Sequence, residues 1–541
     1  MAWVHLVLFE AWNITRFVFV TNKRREIAGA SELITYLDRR WVYEALGRVF
    51  PGFAEEWRVE ERPAELLAAG AGSVKVLVRD RESAVRLVTE VTTAVLREAP
   101  GLDVCGVVSE PFDWAADGQL AEAVRQVHRD FAAVRTSRPG PDARFLRLPV
   151  VDECATTGLP AAVLVAQPDG GGEPRSAESL AKWVAYGKRD EGDGLARLAA
   201  LAGTTPQALG RVVRYLSDEA EWVGVVYVDG NGLGQVFQHF ERCVPDGTNR
   251  SYADTLRGFT TGLQECAEDA FRAAVAELSG PPTEPDGPGG PDGRDRVVPV
   301  LPLILGGDDL IAQCDGAVAL PFARAYLRAF ERLTGERPEI TEALRRGGLA
   351  PRLSASAGVA IVKPHFPFEA GARLAYALLR EAKQVKAQVA GPCAGLAFHV
   401  LYDSSDADLA RLRGQATLGD GTRLVAQPYV VSDVPADEGW MRGRHWHDLV
   451  RRVAALRAVD EDGERLLPAA QLHDLRAGLF LGREVADARF ANLVSRYRGR
   501  GLEALAGTGD SLFWAEPSGR YVTGLLDALD AADFVSAGAG S

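Results

Sequence analysis

The sequence predicts an α+β chain with two ferredoxin-like β-α-β-β-α-β units, a helical region between them and a helical C-terminal domain. Three observations predict it. Short apolar runs bounded by turn residues alternate with longer helical periods, in the same order, twice along the chain. From Gly439 onward, Leu and Ala recur at helical spacing instead. With 541 residues, 47% hydrophobic and 25% charged, the chain is too long for one ordinary core yet globular in composition.

In the first unit, residues 3–9 read as a strand, 30–46 as a helix and 57–61 as a weak strand. Residues 73–79 are a stronger strand, 82–98 a helix, and 104–108 close the set. That order is the ferredoxin-like, or palm, arrangement, and residues 1–135 form the first domain. Helices are predicted over 115–220, broken by loops at 137–141 and 168–174, so 136–220 is a mostly helical link. The second unit, 221–403, opens with a buried apolar strand at 223–228 that stops at Asp229-Gly230-Asn231-Gly232. A helix is predicted at 252–278, and the Pro/Gly/Asp-rich stretch 279–296 reads as a flexible insertion. Strands at 297–305 and 310–313 flank Gly306-Gly307-Asp308-Asp309. A helix at 320–333, a strand at 353–362, a helix at 368–389 and a strand at 396–402 follow. The chain thus holds two diverged copies of one fold. Residues 404–541 are expected to be mainly helical.

Composition removes several classes. The formal charge of −13, from 61 basic and 74 acidic residues, argues against coating nucleic acid by bulk electrostatics, but leaves room for a local basic groove. The six cysteines are scattered with no C-x-x-C pair, so neither a disulfide framework nor a structural zinc site is expected. No run approaches the ~18 apolar residues of a membrane span. The apolar start at 4–9 is short, lacks a basic leader and is interrupted by Glu10, so a cytoplasmic protein without membrane contact is expected.

Chemistry concentrates in the second unit. Glycines in Gly306-Gly307-Asp308-Asp309 permit a tight hairpin and close approach of a phosphate to the backbone. Two adjacent carboxylates at its tip repel one another unless a divalent cation binds. Asp229 ends the first strand, which in such a sheet is expected beside the strand leading into the turn. Three acids from adjacent strands supply enough oxygen ligands for one or two Mg²⁺ or Mn²⁺ ions on a triphosphate. Gly230, Gly232 and Gly234 would let the following loop wrap phosphates at the next helix. Other readings of that loop fail: the twelfth position of an EF-hand is Phe240, a dinucleotide fingerprint needs glycine where Gln235 stands, and the P-loop Gly-Lys-Ser/Thr is absent. Downstream, Ser356 lies on a strand of small polar residues. Lys383 and Lys386 sit one turn apart on the last helix of a chain with seven lysines, and Lys383 is expected to reach a β- or γ-phosphate. His447-Asp448 and His473-Asp474 lack the further ligands of a phosphohydrolase and read as helix polarity.

These residues resemble the palm-domain polymerase/cyclase large subunit of type III CRISPR effector complexes, relatives of the GGDEF nucleotide cyclases. Residues 25–34 are similar to that family's first-palm entry, and Thr156-Thr157-Gly158-Leu159-Pro160-Ala161 to its inter-palm segment. Asp229 to Gly234, the Gly306–Asp309 turn, Ser356-Ala357-Gly358 and Ala382-Lys383 follow in family order. The resemblance implies synthesis of cyclic oligoadenylate messengers from ATP in antiviral defence, with two metal ions at Asp229, Asp308 and Asp309. It implies nucleotide contacts at Gly230, Asn231, Gly234, Gly306, Gly307, Ser356 and Lys383, and effector subunits with guide or target RNA as partners. There are departures. The first palm has Gly70-Ala71-Gly72-Ser73 where acids are needed, so that copy is expected to be structural. The family's zinc-binding cysteines are missing, with Cys154 standing alone. No nuclease domain precedes the first strand, so DNA cleavage is not expected. Asn231 stands where a second acid is frequent. Two other functions stay open: a scaffold or RNA-binding subunit using Arg496, Arg498 and Arg500, and a standalone nucleotide cyclase.

Overall fold

The computed structural model describes residues 3–70, 72–166, 171–187, 195–279, 299–402, 407–434, 439–461 and 464–535. The first unit runs β1 (Trp3–Trp12), α1 (Ile14–Phe19), α2 (Arg24–Tyr36), a π segment at Leu37–Trp41, α3 (Val42–Val49), β2 (Ala64–Gly70), β3 (Ser73–Val78), α4 (Arg81–Glu98), β4 (Asp103–Val108) and β5 (Phe112–Asp113). Its sheet has the order β2-β3-β1-β4, with β5 on the start of β1. The strand expected at 57–61 is a turn. The Val59 amide donates to the Glu65 carboxylate (2.8 Å), and the pairing strand begins after Pro63. The single helix expected at 30–46 starts earlier and carries an extra residue in its turn at Leu37–Trp41, where Leu37 and Trp41 are both fully buried.

Helix α5 (Gln119–Ser137) closes the first domain. The link, expected to be mostly helical, contains α6 (Pro141–Arg144), β6 (Val163–Ala166), β7 (Gly172–Arg175), α7 (Ala177–Tyr186), α8 (Ala196–Leu201) and α9 (Pro206–Asp218), with turns and irregular chain over 145–162. Where a loop is expected at 168–174, residues 172–175 pair with 163–166 as a hairpin, while 167–170 lie outside the described residues. Thr205 caps α9 through the Ala208 amide, with Pro206 at the first helical position where its missing N–H costs nothing.

The second unit runs β8 (Val223–Gly230), α10 (Leu233–Gln238), α11 (Asn249–Ser279), β9 (Val300–Gly306), β10 (Asp309–Asp315), α12 (Gly316–Glu336), α13 (Pro338–Arg346), β11 (Ala355–Val362), α14 (Phe368–Ala382) and β12 (Gly395–Val400). Beyond it lie α15 (Leu409–Gln415), β13 (Tyr429–Val430), α16 (Trp446–Arg457), α17 (Ala469–Phe480), α18 (Arg483–Arg496), β14 (Trp514–Ala515), β15 (Tyr521–Val522) and α19 (Leu525–Ala531). Sheet order is β13-β12-β11-β8-β10-β9. Its β11-β8-β10-β9 portion has the same connectivity as the first sheet, so both predicted palms are present. Residues 280–296 of the expected insertion lie outside the described residues. The helix expected to reach 389 stops at Ala382. Lys383 and Lys386 occupy a 3₁₀ turn at its C-terminal end, where cations suit the helix dipole.

The long helix α11 binds the palms together. Asn249 at its start accepts from the Leu120 amide (2.8 Å) and donates to the carbonyls of Trp114 and Ala116 (both 2.9 Å). Next to it, Arg250, and two turns beyond that on the same face, Arg257, both reach the fully buried Glu65 of β2 (2.7 and 2.5 Å). Burial alone would raise the Glu65 pKa, but hydrogen bonds from Arg250, the Val59 amide and Arg257 outweigh it and hold it below the usual range. On another side, Phe19 packs on Phe368 with ring centroids 4.9 Å apart, and the Phe368 amide donates to Asn22 (2.8 Å).

The candidate nucleotidyl-transfer site

Strand β8 is apolar along its length because helices cover the sheet, and it becomes polar only where it leaves them, at Asp229. It lies between β10 and β11, with Val228 opposite Leu310 and Asp229 opposite Ser356. Its neighbour is therefore the strand that leaves the Gly306–Asp309 turn, not the one expected to lead into it; β9, which leads in, is the sheet edge. Asp309 pairs with Gly306, leaving Gly307 and Asp308 as a two-residue hairpin loop. Gly307 has φ of 60° and Asp308 does not have a positive φ, the pattern of a type II′ turn, which needs glycine at its first position.

The turn brings Asp308 against Gly230. A Cβ on Gly230 would stand 2.7 Å from an Asp308 carboxylate oxygen and 2.6 Å from Leu233, so only glycine lets the two acidic segments meet. Asp308 is within hydrogen-bond reach of Asp229. Burial first, and the Asp229 charge second, push the Asp308 pKa up to about 6. Asp309 reaches solvent at its tip, yet enough protein surrounds it that loss of water, then Asp308 and Asp229, raise its pKa well above the ordinary value. Beneath them the Tyr326 hydroxyl is buried without a hydrogen-bond partner, and its pKa is raised by burial and then by Asp308 and Asp309.

Among the described residues one cation answers the three acids. The Lys383 ammonium bonds to the Asp229 carboxylate and to the Gly230 carbonyl (3.2 Å). Among the described residues no three His, Cys, Asp or Glu side chains already stand as a ligand set for a metal ion. The three predicted acids are thus neighbours whose Asp229 member is turned to Lys383. The donor chemistry fits a divalent cation nonetheless: hard carboxylate oxygens, crowded and short of water, whose mutual repulsion such an ion relieves.

The other predicted contacts divide. Asn231 donates to Ser354 Oγ (3.1 Å) and to the Cys393 carbonyl (3.0 Å), and it accepts from Ser356 Oγ (3.0 Å). Ser356 is fully buried, so this pair ties the end of β8 to β11 and presents no Ser356 surface to the cleft. Gly234 is exposed in the first turn of α10, a helix of only six residues. The Gly307 amide, expected to be open to a phosphate, donates to Gln264 Oε1 of α11 (2.8 Å). Neither Gln264 nor Tyr326 is evident from the sequence motifs. The seven-residue spacing of Arg250, Arg257 and Gln264, which puts them on one helix face, is the available signal. The His-Asp pairs are structural: Asp448 completes the cap of α16, and Asp474 binds Arg489 (2.7 Å). All six cysteines are buried free thiols.

Residues 222–390 match the family described as Cas10/Cmr2, second palm domain. Among solved structures, a Csm1-Csm4 cassette in complex with cA4 aligns at 15% identity over 98% of this chain and 70% of that chain, with a TM-score of 0.50. An apo Csm1-Csm4 cassette aligns at 14% identity over 78% of this chain and 56% of that chain, with a TM-score of 0.44. At such identity the first likeness bears on fold alone, and the second lies too low to support an argument. No curated protein matches the chain.

Proposed function

We propose that this chain, a Cas10-like palm-domain subunit of the kind found in type III CRISPR complexes, is a nucleotidyltransferase that makes cyclic oligoadenylate-type messengers from ATP in antiviral defence. The observation that carries the reading is the meeting of Asp229, Asp308 and Asp309 at one end of the second palm sheet, within the matched segment. In each step a 3′-hydroxyl oxygen bonds to an α-phosphorus, the bond to the β-phosphate oxygen breaks, and pyrophosphate leaves. Asp229, Asp308 and Asp309 would hold Mg²⁺ or Mn²⁺, which neutralises triphosphate charge and acidifies the attacking hydroxyl. Asp308 and Asp309 must be ionised to do so. Lys383, once Asp229 is otherwise engaged, offers its ammonium to a phosphate. Asn231 and Ser356 hold the strand end that carries Asp229.

One observation favours the second reading, a scaffold subunit: Asp229 is bonded to Lys383, and that bond must open first. The test incubates purified protein with each NTP and Mg²⁺ or Mn²⁺, with and without RNA, and resolves products by mass. The expected result is an adenylate product that Asp308→Ala with Asp309→Ala abolishes. Absence of product under every condition supports the scaffold. Product that needs RNA or effector subunits places the chain in a complex, and constitutive product makes it a standalone cyclase.

A further inference from the structure

The Gly306–Asp309 turn does not hold itself in place. Among the described residues its edge strand β9 has no strand beyond it, and within the turn the Gly307 amide donates to a side chain, Gln264 Oε1 (2.8 Å). The other end of that amide is also engaged: Gln264 Nε2 donates to Glu268 Oε1 (2.9 Å). Glu268 in turn receives Arg39 of the first palm (3.3 Å) and Arg272 (3.2 Å). With both functional atoms bonded, the Gln264 amide has one orientation available, carbonyl towards the turn.

The helix that carries it is set by the first palm. Arg250, Arg257 and Gln264 recur every seven residues, and the two arginines converge on Glu65 in β2. Gln264 then stands where the two hairpin turns approach each other. Its Oε1 is 2.8 Å from the Gly307 nitrogen, and 3.6 Å from where a Cβ on Gly70 would lie. The spacing therefore runs from the first palm, along one face of α11, to the backbone between Gly306 and Asp308.

We propose that Gln264 is a positioning residue: it anchors the Gly307 amide so that Asp308 and Asp309 are presented to Asp229, and it makes the first palm the frame that sets the acidic turn. This rests on the reading of those acids as a metal site. A hairpin tip released from such an anchor shifts by an ångström or so, and misplacement on that scale costs about a hundredfold in rate. The side chain touches no reacting atom, so its effect passes through the acids.

The experiment compares Gln264→Met, which keeps size and loses the acceptor, with the exchange Gln264→Glu plus Glu268→Gln. The exchange keeps charge, returns an acceptor to the Gly307 amide and preserves an amide-to-acid bond between the two helix positions. Mn²⁺ affinity is read by electron paramagnetic resonance, product formation by mass, and Gly307 amide protection by hydrogen exchange. Gln264→Met is expected to lose Gly307 protection, weaken Mn²⁺ binding about tenfold for a lost bond to the turn and lower kcat while KM for ATP changes little. The exchange restores all three. Wild-type Mn²⁺ affinity and kcat in Gln264→Met overturn the inference while leaving the functional reading intact. A wild-type chain that binds no Mn²⁺ and makes no product overturns both.

Discussion

Laid over one another by strand register, the two palms differ at three positions and agree at a fourth. Ser73 pairs with Gly70 as Asp309 pairs with Gly306, and Val74 faces Phe9 as Leu310 faces Val228. It follows that Gly72 stands where Asp308 does, Ser73 where Asp309 does, and Ala11 where Gly230 does. Glu10 stands where Asp229 does. The first palm therefore lacks acids at the turn and has one on the strand. In place of a neighbouring carboxylate, Glu10 has Lys75 and Arg135 for company and lies 3.7 Å from His128 of α5. Burial raises the Glu10 pKa while Lys75 and Arg135 oppose it, and His128 is pushed down to about 4 by burial and by Lys75.

Space explains why the exchange is concerted. Where strand and turn cross in the second palm, there is room for one side chain beyond the backbone. The second palm gives it to Asp308 and keeps glycine at 230. In the first, Ala11 occupies the strand side, and Gly72 opposite it is held to glycine by its φ of 73° more than by space, since a Cβ there would lie 3.4 Å from that of Ala11. An acidic turn costs electrostatic repulsion, and only a palm that binds a cation recovers that cost. The first palm carries no acid at its turn, where Gly72 and Ser73 stand.

Three variants or conditions test the contrast, from the largest expected effect to the smallest. Asp229→Asn should lower nucleotide product at least about a hundredfold, as for loss of a group that stabilises developing charge, whereas Glu10→Gln at the matched position should leave the rate within about twofold, because no turn acid joins it. Equal losses in a mass-resolved product assay would erase the distinction between the palms. Next, Gly230→Ala drives a Cβ into Asp308 and Leu233 and should destabilise by about 1–3 kcal/mol. Its mirror, Ala11→Gly, removes a methyl from a strand and should cost about 0.5–1 kcal/mol. Denaturant melts read both, and a reversed order would refute the one-side-chain argument.

The third is the effect of pH on the metal-free chain. Asp308 titrates near 6 in the fold against an ordinary 3.8, so the folded chain holds that proton more tightly than the unfolded one. Stability from this group is fully present below about pH 4 and is lost as pH rises through about 6. Asp308→Asn should therefore melt about 2–4 °C higher than wild type at pH 7.5 and nearly equal to it at pH 4. Mn²⁺ binding runs the other way, since it needs the ionised carboxylates: added Mn²⁺ should raise the wild-type melting temperature at pH 7.5 and leave it unchanged at pH 5. Ser73→Ala, at the matched position of the first palm, should leave both dependences as they are in the wild type, because it removes no turn acid.

Much of this was legible beforehand. Apolar runs ending in Asp and Gly located β8 and the turn, because a buried strand must change composition where it leaves its helices. The repeated order of periods revealed two palms. The strand at 57–61 was misplaced because Trp57 and Val59 are apolar for another reason: Trp57 packs on Phe53 (5.5 Å) and Val59 is buried in a turn capped by Glu65. Ser356 and Asn231 were expected to face a nucleotide because they fall within the motifs that carry the family resemblance. Their hydrogen bonds to each other and to Ser354 show them used within the fold. Glu10 reads from the sequence only as a break in an apolar run, because an acid late in a strand means little until register sets it against Asp229.

The sequence by itself determined most of the palm strands and helices, that the palm is doubled, and that acids gather at one turn. All of these follow from local composition and period, which neighbouring residues carry. Tertiary structure alone decided that β8 lies beside the strand leaving the turn, that Lys383 holds Asp229, and that Gln264 of a distant helix holds Gly307. Those are contacts between residues 43 to 154 positions apart, and no local pattern encodes them. They exist because packing two palms around one helix leaves each buried donor and carboxylate to find its partner across the fold.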